Sequence, residues 1–490
     1  MPHKPSAIPS SLERAGAPHR ESRRSRGPRV LLAGLLAAAL VLSACSSTGG
    51  AGAEITSSGG GSMAPSGTDA GASSGTAASE SASSEGSVTA ISPSVSGSAG
   101  STDSAGSSGG GPTGSHPGGA GATGGVGPDG CVTDFQPGTD YFPDKLSLQY
   151  AKNFTISYHD SYAVVTVSEP SPGAKPADYV LVRCGAPRPA LSGSLADAQM
   201  VTVPVHSLFS GSTTHLPALV MLDRLDVLTG VASKAYISEK QVLKRVSSPS
   251  VTEYADAAGT VDAEKVVVAK PDVLITGGTD DPAYAGIEKA GIPVLSDADW
   301  LENNPLGRAE WIKFFALLTD TASAATTQFD QIADAYHQTA ALVRGEPTVQ
   351  VVTGQPYQGT WYVPGGGSYT ATLLSDAGGT YPWAKNKSTG SIATDVETVF
   401  AKSGGAPVWL ASTTWTTKKQ ALAENSTFAK FTAFRDNNVW NAAKDVTASG
   451  GNNFYELGAA RPDLILGDLV AILHPDKMPG HDFAFYLKLS

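Results

Sequence analysis

A chain of 490 residues with 45 acidic and 34 basic side chains, net −11, lacks the basic footprint that DNA or RNA binding requires. Its first 44 residues hold seven of those basic groups against two acids, so a chain starting at Cys45 is more acidic still, near −16. Nucleic acid is thereby excluded as a partner.

In chain order, Lys4, Arg14, Arg20, Arg23, Arg24, Arg26 and Arg29 precede an uncharged, apolar run, Val30–Ala44. A basic stretch followed by an apolar one too short to span about 30 Å of hydrocarbon is the pattern of an export signal. The run ends Leu42-Ser43-Ala44-Cys45, which resembles the bacterial lipobox. That resemblance implies cleavage before Cys45, a lipid on its thiol, and anchoring at the outer face of the cytoplasmic membrane without spanning it. Residues 1–45 are read as signal peptide and lipobox. Export into an oxidising space makes the remaining cysteines, Cys131 and Cys184, a disulfide pair. The loop they close, about 50 residues, corresponds to roughly 3–4 kcal/mol of chain entropy.

Residues 46–130 are dominated by Gly, Ser, Ala and Thr and hold no aromatic, too little apolar surface to offset the entropy of ordering. They read as a flexible spacer with a root-mean-square span of about 50 Å. Residues 131–190 read as a small β extension: Phe154–Tyr158, Ala163–Val167 and Tyr179–Val182 are short runs with strand-like composition and alternation.

From residue 199 the pattern becomes strand, helix, strand. Met200–Val205 is expected to open a first lobe (199–320) that continues through helix Asp262–Ala269, the buried strand Pro271–Ile275, helix Tyr284–Ala290 and strand Pro293–Leu295. Fully apolar strands alternating with helices imply a parallel sheet covered on both faces. Over 321–345, Ala325, Phe329, Ile332, Ala333, Tyr336, Ala340 and Val343 form one apolar stripe, predicting a helix of about 36 Å. A second α/β lobe follows over 346–490, with Thr348–Val352, Thr370–Ala377, Asp395–Ala401, Val408–Leu410, Phe428–Arg435 and Pro462–Leu473 as its elements. The fold class is α/β: two lobes joined by one long helix.

Two stretches echo one another: Val261–Val266 leading to Pro271–Ile275, and Thr394–Val399 leading to Val408–Leu410. Each is a capped helix with an early Glu, then a buried strand. With Asn304–Phe314, Thr360–Tyr369, Gly450–Glu456 and Arg461–Leu469, this resembles the class III substrate-binding proteins of ABC importers, the binders of iron–siderophores, haem and cobalamin. The resemblance covers about Cys131 to Leu489. It implies two lobes on a rigid helix, a cleft between them, and no turnover. It also implies that Glu264 and Glu397 dock arginines of the permease. Residue chemistry alone offers another role for both: Thr394-x-x-Glu397 has the form of a capping box, and an acid in the first turn, as at Glu264, suits the helix dipole.

The cleft is expected at loops His206–His215, Gly277–Asp280, Trp361–Tyr369, Tyr381–Trp383 and Thr413–Trp415. Ser207, Thr213, Gly278, Thr279, Trp361, Tyr362, Tyr369 and Trp415 are the candidate ligand contacts, rings and hydroxyls suited to a bulky, partly apolar ligand. Glycines Gly365–Gly367 would let backbone approach it. Apart from Lys385, these loops carry no Lys or Arg, which favours a neutral or weakly charged ferric siderophore. Haem or cobalamin is the alternative in the same class; a stalked envelope enzyme or adhesion module is the alternative outside it. No nucleophile elbow or phosphate loop lies in the folded region, and neither His206/His215 nor His474/His481 has zinc-site spacing. No catalytic residue, cofactor or metal site is assigned.

Overall fold

The computed structural model describes residues 125–256 and 258–490. The leader, Cys45 and almost all of the spacer lie outside the described residues. Among the described residues no helix is long and apolar enough to cross a membrane.

The extension forms a four-stranded sheet of β1 (Phe154–Tyr158), β2 (Tyr162–Val167), β3 (Ala177–Arg183) and β4 (Gln199–Val203), in that order. The first three strands are antiparallel and β4 runs parallel to β3. Alternation decides what each face meets. Val165, Val167, Leu181, Val201 and Val203 join the main core, while Val164, Val180 and Val182 gather a small cluster of their own. The expectation that Met200–Val205 opens the first lobe is corrected here. Its ladder runs to β3 from Tyr179↔Gln199 to Arg183↔Val203, so the strand completes the extension. The Cys131–Cys184 disulfide, 53 residues apart, fastens the entering chain to the end of β3.

Two buried carboxylates hold the extension on the first lobe. Glu310, wholly buried, accepts the backbone N–H groups of Gln149, Tyr150 and Ala151 at 2.7–3.1 Å and pairs with Lys313 Nζ at 2.7 Å. Glu302 accepts from Lys152 N, Asn153 N and the Trp311 indole. Backbone donors that would otherwise be orphaned beneath the lobe are thus satisfied by charge-assisted bonds.

The first lobe holds five parallel strands, β5 (Leu208–Ser210), β6 (Leu228–Val231), β7 (Thr252–Glu253), β8 (Val273–Thr276) and β9 (Val294–Ser296), ordered β7-β6-β5-β8-β9. β8 is buried along its whole length, as its apolar run requires. The connecting helix spans Ala322–Ala341 and buries Ala325, Phe329, Ile332, Ala333 and Tyr336, the stripe read from its spacing. It packs on both helix Ile312–Thr319 of the first lobe and helix Pro462–Leu473 of the second.

The second lobe contains β10 (Val349–Tyr357), β11 (Thr360–Pro364), β12 (Gly379–Thr380), β13 (Ser391–Thr394), β14 (Val408–Ala411), β15 (Val439–Asn441) and β16 (Leu487–Lys488). The order is β13-β11-β10-β14-β15-β16, with β12 beside the start of β10. β10, β12, β14 and β15 are parallel, but the hairpin β10–β11 and the edge strand β16 are antiparallel, so this sheet is mixed.

Candidate functional site

Because β5, β8 and β9 are parallel, the segments leaving them gather at one edge of the first lobe. There Ser212 accepts from Thr214 N and opens a short turn that buries His215 completely. Ser210 Oγ lies 3.0 Å from His215 Nδ1, and Asp297 Oδ2 lies 3.6 Å from His215 Nε2. Burial pushes the imidazole down to about 4, against the pull of Asp299. The same burial, reinforced by Asp299, holds the Asp297 carboxyl well above the usual carboxylate range. Asp299 turns both oxygens inward, Oδ2 accepting from Arg308 Nε at 2.7 Å and Oδ1 from Thr214 Oγ1 at 3.4 Å. Burial disfavours the Arg308 charge, but Asp299, Tyr369 and Asp297 together outweigh it and raise the guanidinium above its ordinary value.

The second lobe faces this edge with two helices. Tyr369–Asp376 begins at Ser368, whose Oγ caps Ala371 N; Asn453–Ala460 begins at Asn452, which caps Phe454 N. The latter packs on Thr213–Met221 and Pro305–Ala309 of the first lobe. The Tyr369 ring lies under Arg308, 5.4 Å from ring centre to guanidinium carbon. Its hydroxyl is raised to about 12 by burial, partly offset by Arg308. Tyr455, next to Phe454 and edge-on to its ring, leaves half its surface exposed. Its neighbourhood includes Tyr486, whose hydroxyl is raised by burial, by Asp468, and then by Tyr455 and Tyr369. Between the lobes, Thr214, Asp297, Asp299, Arg308 and Ala459 border a cavity of about 20 Å³, room for one water. The lobes are tied at its flank. Glu456, fully buried, accepts from Ser238 N at 2.5 Å and from Ser238 Oγ, and Ser449 Oγ donates to Ala235 O.

The structure sorts the expected contacts. Thr213, Thr279 and Tyr369 sit at the crevice edge, Thr279 exposed and the other two half-buried. Ser207 precedes β5 and so lies at the opposite edge of the sheet, its hydroxyl 2.6 Å from Thr229 Oγ1. Gly278 has φ +69°, and a Cβ there would stand 2.8 Å from the Trp300 indole nitrogen. Its glycine makes room for a tryptophan of the chain itself.

Trp361 and Trp415 are core residues, 1% and 5% exposed, packed with Trp409 and Phe428. The Trp361 indole donates to Thr353 O and that of Trp415 to Glu424. Tyr362 alternates to the other face of β11 and is half-buried. The glycines Gly365–Gly367 are likewise taken. Gly365 N donates to Gly390 O and Gly367 N to Ser388 O, and a Cβ on Gly366 would fall 2.3 Å from Ala384 O. What approaches them is the loop after Tyr381, whose hydroxyl bonds Pro364 O at 2.9 Å.

Arg308, Phe454 and Tyr455 escaped the sequence reading although all three lie in stretches that carried the family resemblance. They sit on helices, and the reading looked for the cleft in loops at strand ends. Arg308, on helix Pro305–Ala309, adds a basic group beside the loops that themselves carry none.

Glu264 and Glu397 occupy matching places. Each is the second residue of a helix, Ala263–Ala269 and Val396–Ser403, and each is exposed. The capping reading for Glu397 is corrected: Thr394 ends β13, and Asp395 caps the helix, accepting from Thr398 N at 2.6 Å. Asp262 does the same through Lys265 N at 3.2 Å. Among the described residues neither glutamate carboxylate has a hydrogen-bond or ion-pair partner.

Two α/β lobes on a shared helix, closing on a crevice lined from both sides, define a two-lobed binding protein. Residues 207–446, which take in most of both lobes, match the periplasmic binding protein family. Members of that family bind solutes for ABC importers outside the cytoplasm and are not enzymes. The chain is similar to two uncharacterized lipoproteins of Methanocaldococcus jannaschii. One is 25% identical over 369 residues, covering 70% of this chain and 85% of the relative; the other is 24% identical over 368 residues, covering 70% and 87%. Among solved structures it is similar to a periplasmic heme binding protein from Pseudomonas aeruginosa, at 20% identity and TM-score 0.45, covering 58% of this chain and 98% of that one. It is also similar to CeuE of Helicobacter pylori with Ni(II) bound, at 18% identity and TM-score 0.45, covering 58% and 88%.

Proposed function

We propose that this protein captures a bulky iron chelate of the ferric siderophore type between its lobes and delivers it to an ABC importer permease. A lipid on Cys45 keeps it at the outer face of the membrane. The observation that supports the reading is the seam between the lobes: Arg308 of the first lobe lies over the Tyr369 ring of the second, and Thr214, Asp297 and Ala459 border the same space, a mixture of ring and polar groups. Delivery is assigned to Glu264 and Glu397. Both are exposed on equivalent helices, one per lobe, and an aspartate at each helix start already does the capping.

The test separates delivery from capture. In Glu264→Lys/Glu397→Lys, like charges meet permease arginines and docking loses several kcal/mol, while the crevice is untouched. Solution affinity for the chelate should be normal and cellular uptake should fail. Full uptake by the double variant would remove the docking role.

A further inference from the structure

The second lobe has an outer layer of its own. Alternation along β14 sends Val408 and Leu410 to the main core, and Trp409 and Ala411 to a second cluster on the other side of the sheet. That cluster is covered by helix Val396–Ser403, helix Lys418–Glu424, the turn Ser426–Lys430 and helix Thr432–Arg435, which contribute Val399, Ala421, Phe428 and Phe434 to it. The layer is continuous. The Phe400 ring meets that of Phe431 at 5.2 Å, Thr432 N donates to Gly404 O, and Lys418 Nζ lies 4.6 Å from the centre of the Phe434 ring. Lys402 Nζ, 5.9 Å from the Trp383 ring centre, joins it to the turn that carries Lys385 and Lys387.

What this layer shows to solvent is basic. Residues 381–435 hold seven Lys and Arg against three acids, a net of +4 in a chain of net −11. Two of those acids are engaged, Asp395 in capping its helix and Glu424 in accepting the Trp415 indole N–H. Among the described residues none of the seven cations has an ion-pair partner, and all but Lys418 are fully exposed. The matching stretch of the first lobe, residues 261–296, holds three Lys against six acids, a net of −3, so the positive face belongs to one lobe. Apolar groups stand among the cations: Phe400, on the helix of Lys402, is 41% exposed, and Leu422, on the helix of Lys419, is 37% exposed. Exposed lysines interleaved with an exposed ring and a leucine are the composition of a surface that lies at a lipid head-group layer.

We infer that this face of the second lobe rests on the membrane surface, its cations against anionic phospholipid head groups and Phe400 and Leu422 within the head-group layer. The inference rests on the reading of Cys45 as lipid-bearing: the lipid holds the chain at the membrane but does not choose which face turns toward it. An acidic body is repelled by an anionic leaflet, so the basic face sets orientation and the lipid supplies attachment. Glu397 lies on the same helix as Lys402, and this orientation brings that docking acid to membrane level.

The test floats the full lipid-bearing chain on vesicles of phosphatidylcholine alone and of phosphatidylcholine with phosphatidylglycerol, acetylates the accessible lysines, and reads each by mass spectrometry. On the anionic vesicles Lys402, Lys419 and Lys430 should label about threefold more slowly than on the neutral ones, and high salt should erase the difference. Lys240 and Lys289 of the first lobe, both exposed, should label alike on the two. Lys419→Glu/Lys430→Glu/Arg435→Glu should label Lys402 equally on both vesicles, and Lys419→Arg/Lys430→Arg, which keeps the charge, should retain its protection; thermal melts of both variants confirm the fold. Equal labelling of wild type on the two vesicles, or protection that persists in the charge-reversed variant, overturns the inference and leaves the anchor standing. A chain that floats with anionic vesicles alone removes the anchor and keeps the basic face; one that floats with neither overturns both.

Discussion

Glu310→Gln tests how the extension is held. The substitution keeps size and shape, so no cavity contributes; what changes is charge. Glu310 is completely buried, and Lys313, 2% exposed, sits 2.7 Å away. An amide in place of the carboxylate turns an N–H toward donors: the ammonium on one side, the N–H groups of Gln149, Tyr150 and Ala151 on the other. Removing one partner of a buried pair costs about 3–5 kcal/mol, mostly because the other is stranded. The reverse change, Lys313→Met, strands less. The carboxylate keeps three backbone donors, so the loss should be about 1–3 kcal/mol, that of a buried charge-assisted bond. Urea denaturation of the full chain gives both numbers, and limited proteolysis across 144–151 reports whether the extension lifts first. Equal losses for the two variants, or a Glu310→Gln chain within about 0.5 kcal/mol of wild type, as for an ordinary surface change, would refute this account of the joint.

Trp361→Ala should destabilise the second lobe by about 3–5 kcal/mol, read from denaturant midpoints, because it empties a fully packed aromatic core. Tyr455→Ala should instead leave the midpoint unchanged and weaken chelate binding, measured by fluorescence titration; loss of stability without loss of affinity would place the ring in the core. Replacing Cys131 and Cys184 together by Ser should lower stability by roughly 3–4 kcal/mol, the entropy of the loop they close; unchanged midpoints would show that the bond contributes nothing. His215 is held down to about 4 when folded and titrates near 6.5 when unfolded, so between those values the unfolded chain binds more protons and acidification removes stability. Asp297, held up, acts in the opposite direction. His215→Gln should therefore gain stability on acidification from pH 7 to pH 4.5 relative to wild type; parallel pH curves would contradict the assignment.

Much of the architecture was legible because periodicity and capping are local. The stripe from Ala325 to Tyr336, the apolar β8 and the Asp262 start all follow from spacing and side-chain chemistry. What failed depended on partners distant in sequence. Gln199–Val203 reads as a strand from composition, but which sheet it joins is decided by its pairing with β3. Trp361 and Tyr362 were both read as cleft rings, although adjacent residues of a strand point to opposite faces and only one can share a surface with a given neighbour. Ser207 precedes β5 and so stands at the far end of that strand from the segment that reaches the crevice, a distinction that composition does not carry. Arg308 lies inside a helix motif, and nothing in its neighbours along the chain shows that Asp299 and Tyr369 will fix two sides of it and leave the third open.

The central claim is capture of a chelate in the interlobe crevice, and native mass spectrometry of the protein drawn from an iron-starved culture of its own host tests it most directly. Wild type should carry an added mass with the isotope pattern of iron, released on denaturation and absent from Arg308→Gln and Tyr455→Ala prepared in parallel. A wild-type spectrum showing only the bare, lipid-bearing chain, or an iron adduct that persists unchanged in both crevice variants, would contradict the account.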